Sequence, residues 1–258
     1  MPKLAANLSM LFTERPFLER FAAAARAGFR AVEYQYPYDH KPEDVGAAAR
    51  AAGVEVVLHN MPRGDGARGE HGTACLPGRE QRFQDDLEHA IRYAKAAGCV
   101  QLNCIAGVLP AGGDRARHHA AYAANLRHAA GRLGAEGMRV LLEPLSHRTL
   151  PGCFLSSSAQ AASVIDELGA DNVLIQYDLF HMQVMEGNLS ATIERLLPKI
   201  GHLQIADVPG RHEPGTGELN FGFLLARIDE LGYAGWIGCE YNPRGDTLES
   251  LRWAKPYL

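Results

Sequence analysis

No C-x-x-C pair runs through this chain: its five cysteines, Cys75, Cys99, Cys104, Cys153 and Cys239, are odd in number and scattered. That argues against a zinc ribbon or a disulfide framework, and reduced thiols are expected. No stretch approaches the roughly 18 consecutive apolar residues of a membrane span. The opening Met1-Pro-Lys-Leu-Ala-Ala-Asn7 meets polar Asn7 and Ser9 before the apolar core of a signal peptide can build. A cytoplasmic protein without a membrane partner is expected. An excess of positive charge is missing too: 26 Lys and Arg stand against 30 Asp and Glu, a formal net charge of -4. Nothing supplies the basic field that holds a phosphate backbone, so nucleic acid is not an expected partner.

What is present is an alternation of short apolar runs with longer stretches of helical periodicity, repeated eight times in 258 residues that are 47% hydrophobic. The runs are Leu4 to Asn7, Ala31 to Glu33, Val54 to His59, Val100 to Asn103, Met138 to Glu143, Val173 to Asp178, Ile200 to Gln204 and Trp236 to Glu240. Between them, sets such as Phe17, Leu18, Phe21, Ala24, Ala25 and Phe83, Leu87, Ala90, Ile91, Ala94 recur at helical spacing. Apolar runs with little in-out alternation suit parallel strands buried on both faces. Eight strand-helix units in a chain of this length predict one α/β domain over residues 1–258, a (β/α)8 barrel. A doubly wound dinucleotide fold would need G-x-G-x-x-G after its first strand, whereas Leu8-Ser-Met-Leu-Phe12 contains no glycine.

A barrel of this kind carries its function at the carboxyl ends of its strands. Those ends read Asn7, Glu33, His59, Asn103, Glu143, Asp178, Gln204 and Glu240, all polar. With neighbouring strands about 4.8 Å apart, the last four can converge on one point. Three carboxylates and an amide oxygen meeting there repel strongly unless a divalent cation joins them, and oxygen donors favour Mg²⁺ or Mn²⁺. Any one such acid can instead be a helix cap or an ion-pair partner, but four in succession make that reading weak. His181, three residues beyond Asp178, can reach the same pocket. Arg211, in the loop after the seventh strand, suits an anionic or polyhydroxyl substrate. His59 and His202 are either packed core histidines or groups near the site, and His118-His119 reads as a solvated helix face. The glycine-rich stretch Pro62 to Gly72, which holds Arg68, lacks the Gly-Lys-Ser/Thr ending of a phosphate loop. It reads as a mobile loop over the barrel mouth.

With these residues in hand, the chain resembles the hydroxypyruvate isomerase family of the xylose isomerase-like barrel superfamily. The carrying segments are Ala6 to Phe12, Cys75 to Glu80, Glu143-Pro-Leu-Ser-His147, Gln176 to Gln183, His202 to Asp207, Glu213 to Glu218 and Gly235 to Tyr241. The resemblance implies a metal held by Glu143, Asp178, Gln204 and Glu240, with Glu143 and Glu240 as the proton-transfer pair. Sugar epimerases of the superfamily usually have histidine where Gln204 stands, which favours the hydroxypyruvate branch. The implied reaction takes hydroxypyruvate to 2-hydroxy-3-oxopropanoate through an enediolate, with no organic cofactor. The substrate carboxylate would be bound by Arg211, His181 or Arg68, in that order, and His59 is a further substrate-binding candidate. The sister 2-oxo-tetronate isomerases share nearly all of these motifs and form the alternative, a related sugar epimerase being more remote. Two rivals of other kinds are a barrel endonuclease, which would call for a histidine-rich multi-zinc centre and a basic groove, and a non-catalytic sugar-acid binder, against which both retained glutamates speak. The sequence leaves a homo-oligomer open.

Overall fold

In the computed structural model, which describes residues 1–258, eight parallel strands close on themselves in chain order, the last pairing with the first. They are β1 (Lys3–Asn7), β2 (Ala31–Tyr34), β3 (Glu55–Asn60), β4 (Gln101–Asn103), β5 (Arg139–Leu142), β6 (Val173–Asp178), β7 (Ile200–Ile205) and β8 (Trp236–Cys239). The expected (β/α)8 barrel is the observed fold, with strand ends moved by a residue or two. Glu143 and Glu240 stand just past β5 and β8, and Gln204 sits one residue inside the end of β7.

Helices α1 (Phe17–Arg26), α2 (Pro42–Ala52), α3 (Glu80–Ala97), α4 (Arg115–Gly134) and α5 (Ser158–Leu168) follow the first five strands. Then α6 (Leu179–Met185) and α7 (Leu189–Leu196) follow β6, α8 (Phe221–Glu230) follows β7, and the short α9 (Thr247–Ser250) follows β8. The longer helices lay apolar stripes on the sheet, as Phe83, Leu87, Ala90, Ile91 and Ala94 do for α3, so the main core of 65 buried residues lies between sheet and helices. No helix is long and apolar enough to cross a membrane.

On the barrel strands, Ala5, Ala31, Val57, Leu58 and Leu141 form a second apolar cluster, separate from that core. Polar side chains are buried on the strands as well. Glu33 is fully buried and accepts from Asn7 Nδ2 (2.8 Å), Gln204 Nε2 (2.8 Å) and His202 Nε2 (2.6 Å). Its carboxylate lies against Gly238 of β8, where any Cβ would run into it. Glycine in that strand therefore makes the room that the acid occupies.

His118 departs from the expectation of a solvated face. It is only 8% exposed and its Nδ1 lies 2.8 Å from the Asp114 carbonyl oxygen, while His119 is exposed and pairs with Glu167. Adjacent helical residues are about 100° apart, so one faces the neighbouring loop and the other the solvent.

Candidate active site

The carboxyl ends of β5, β6 and β8 bring Glu143, Asp178 and Glu240 together, all at most 4% exposed. Asp178 also caps α6, its Oδ1 accepting from the Phe180 amide (2.8 Å), so the structural reading of this acid is true beside any chemical one. The cap starts a helix whose first turn carries His181 back over the acids. His181 Nε2 lies 3.5 Å from Asp178 Oδ2 and 3.9 Å from Glu143 Oε1. One ligand atom from each of Glu143, Asp178 and His181 falls within 4.8 Å of the others, a donor set that could hold a metal ion.

The histidine's tautomer follows from its other nitrogen. The Ser146 amide, which can only donate, reaches Nδ1 at 3.4 Å. Nε2 therefore bears the proton and points it at the acids. Burial holds the His181 pKa down at about 4, against the pull of Asp178, so the ring is neutral around pH 7.

Arg211 closes the cluster from the β7–α8 loop. Its Nη2 donates to Glu240 Oε1 (2.9 Å) and Asp178 Oδ2 (3.3 Å), and the guanidinium lies over the Phe180 ring at 5.1 Å. Its Nε is buried without a hydrogen-bond partner. Arg211 holds a left-handed backbone (φ 57°), uncommon for a residue other than glycine. The loop is fixed by Asp207, whose carboxylate accepts from the amides of Val208, Gly215, Thr216, Gly217 and Leu219. Gly217 is required there, because a Cβ would meet the Val208 carbonyl oxygen.

Three acids around one cation remain short of compensation. Burial first, then repulsion from Glu240 and Asp178, raises the Glu143 pKa well above the ordinary carboxylate range, despite the Asn103 amide on Oε2 (2.6 Å). Burial likewise lifts Glu240 to about 8, with Arg211 and the Gln35 amide (2.8 Å) pulling the other way. Perturbed carboxylates in a cleft are a mark of function. The cavity they face measures about 170 Å³ and is completed by Gln35, Tyr36, Asn60, His71 and Thr149 among others.

Other expected residues lie elsewhere. Gln204 sits lower in the barrel, its Nε2 on Glu33 and its Oε1 on the Gln176 amide (2.6 Å), so both ends of its amide are engaged away from the acids. His59 is fully buried, stacked on Tyr34 at 5.8 Å with Nδ1 3.1 Å from the Asn60 carbonyl oxygen, and it does not line the cavity. Arg68 lies outside as well. Its Nε faces Glu70 at 3.6 Å, and it borders a separate cavity shared with Arg79 and His118.

Sequence reasoning missed Gln35, Tyr36, Asn60, His71 and Thr149. Gln35 had a signal: strand side chains alternate, so it shares a face with Glu33 two residues earlier. The others sit at a strand terminus or in loops, where no periodicity marks them.

A family model for the xylose isomerase-like TIM barrel matches residues 21–257. The chain is 48% identical over 257 residues to hydroxypyruvate isomerase of Escherichia coli strain K12, covering 100% of both chains. It is 47% identical over 258 residues to 2-oxo-tetronate isomerase of Cupriavidus necator, covering 100% of this chain and 99% of that one. The crystal structure of a Brucella melitensis protein described as an AP endonuclease, family 2, superposes with a TM-score of 0.97 at 44% identity, covering 100% of this chain and 99% of that one. The chain belongs to the xylose isomerase-like TIM barrel family.

Proposed function

We propose that this chain is a cytoplasmic, metal-dependent isomerase that interconverts hydroxypyruvate and 2-hydroxy-3-oxopropanoate. The observation that carries the reading is the pair of buried glutamates, Glu143 and Glu240, at the ends of β5 and β8, both with raised pKa. The reaction moves one proton from C3 of the hydroxy ketone to C2, through an enediolate, while the proton of the C3 hydroxyl passes to the oxygen on C2. It needs a base that can take that proton and an acid that still holds one near neutral pH, and buried carboxyls lifted toward neutrality serve both needs. Either glutamate can remove the proton and either can return it.

The donor chemistry fits a divalent cation, because three buried acids crowd a space that Arg211 only partly neutralises. Glu143, Asp178 and Glu240 would hold Mg²⁺ or Mn²⁺, with Gln204 as the proposed fourth ligand. Such an ion, when bound, would supply positive charge against the negative charge that develops in the enediolate. His181, with its Nε2 proton aimed into the cluster, is suited to donate to one of those oxygens. Arg211, relieved of Glu240 or Asp178, offers the same donor class.

The names of the relatives support two substrates, and the 2-oxo-tetronate alternative differs by one carbon. Purified enzyme assayed on hydroxypyruvate and on 2-oxo-tetronate, before and after chelation and with Mg²⁺ or Mn²⁺ restored, tests the reading. Faster metal-dependent turnover of hydroxypyruvate is expected. A clear preference for the four-carbon acid would move the assignment to the sister activity, and full turnover after exhaustive chelation would remove the metal. The name of the Brucella neighbour favours a nucleic-acid reading, but the acidic chain and a mouth whose arginine is tied to Asp178 and Glu240 weigh against a phosphate-backbone partner.

A further inference from the structure

A 2-oxo acid entering this cavity brings a carboxylate of its own, and the side chains facing the cavity limit where it can go. Arg211, His181 and His71 are the basic or imidazole groups on its walls. Arg211 is spent on Glu240 and Asp178, and the proton on His181 Nε2 faces Asp178 and Glu143. Both are therefore committed to the acid cluster and the reacting oxygens rather than to the far end of the substrate. His71 has no such neighbours. The adjacent acid, Glu70, is occupied by Arg79 (3.0 Å), Arg68 (3.6 Å) and the Asp65 amide (2.7 Å).

The loop around His71 is fixed on both sides. Buried Glu70 fastens one side. On the other, the Gly72 amide donates to the Arg63 carbonyl oxygen (2.8 Å), and Gly72 lies so close to the Ile105 carbonyl oxygen that a Cβ would collide with it. His71, itself exposed, is thus held at the rim between two anchored residues. The Arg63 guanidinium lies over the ring of Tyr36, another cavity wall, at 5.7 Å and adds positive charge to the same rim. In the closed strand order β3, which feeds this loop, stands opposite β7, which feeds the Arg211 loop.

Resting on the isomerase reading above, we propose that His71 binds the substrate carboxylate by donating an imidazole N–H, across the mouth from the acid cluster. The substrate then spans the cavity, its reacting carbons at Glu143 and Glu240 and its acid end on the β3–α3 loop. An anchor engaged equally in ground and transition states appears in KM rather than kcat.

The metal-loaded wild type, His71→Ala, His71→Gln and His71→Asp are compared on hydroxypyruvate, with tartronate and neutral dihydroxyacetone as binding probes. His71→Ala should raise KM about tenfold or more, the loss of one hydrogen bond to a charged group, with kcat within about threefold. His71→Asp should raise it further, and His71→Gln, which keeps an N–H donor, should recover part of the loss. Tartronate affinity should fall in parallel while that of dihydroxyacetone holds. Unchanged KM in both the Ala and Asp variants, or equal losses for both probes, would overturn the proposal. If the wild type does not turn over hydroxypyruvate, the isomerase reading fails, and the split between tartronate and dihydroxyacetone still decides the role of His71.

Discussion

Two sets of buried carboxylates occupy this barrel a few residues apart along the strands, and they are treated in opposite ways. Glu33, inside the barrel, receives three donors from two other strands, β1 and β7, and has glycine opposite it to make room. Glu143, Asp178 and Glu240, at the mouth, share one arginine, one histidine N–H and single amide donors while repelling one another. A buried acid surrounded by donors behaves as architecture, whereas buried acids short of donors keep the capacity to take up a cation or a proton. Burial alone does not distinguish the two; the count of donors does.

Replacing the acids tests that contrast first. Glu33→Ala leaves Asn7, His202 and Gln204 without their acceptor in the barrel interior, and should cost about 3–5 kcal/mol of folding stability in denaturant unfolding. A cost below about 1 kcal/mol would show that the interior network is not what holds these side chains. At the mouth the outcome should invert. Glu143→Gln and Glu240→Gln should each lower kcat at least about 10²-fold while leaving stability equal or higher, since each removes a repelled charge. Metal content is measured alongside, and a variant that keeps both its metal and its turnover takes that residue out of the mechanism.

A smaller effect sharpens the comparison through pH. In the metal-free fold burial raises Glu240 to about 8, so between pH 6.5 and 8 the fold retains a proton there that the unfolded chain has released, and the upward shift of Glu143 acts in the same direction. Stability should therefore fall as pH rises through that window, by at most about 1.4 kcal/mol per pH unit for each group. His59 and His181, held near 4 by burial, act the other way: their contribution is lost as pH falls from 6.5 toward 4, so the two effects oppose below 6.5. Thermal melts of chelated protein should show the decline above pH 6.5, and Glu240→Gln should flatten it. A wild-type profile that is already level would remove the electrostatic tension from the mouth.

The contrast also explains what could be read from the sequence. Apolar runs that end in an acid announce both a strand and its functional end, so the barrel and the meeting of Glu143, Asp178 and Glu240 were legible. Glu33 looked the same in sequence, because its three donors come from Asn7, His202 and Gln204, the last 171 residues away. Which amide Gln204 would face was hidden for the same reason. His71 and Arg68, three residues apart on one glycine-rich loop, ended on different cavities because Glu70 between them is buried and turns the chain. Pairings that close across a barrel leave no periodic trace.

The Asp207 carboxylate gathers five amides from the loop that presents Arg211. Bonds that converge on one acceptor share its fate, since losing that carboxylate would free all five amides at once. The segment from Val208 to Leu219 therefore depends for its shape on one side chain at its start. The arginine it carries is accordingly presented to the acids by a loop whose shape depends on one buried carboxylate that touches none of them.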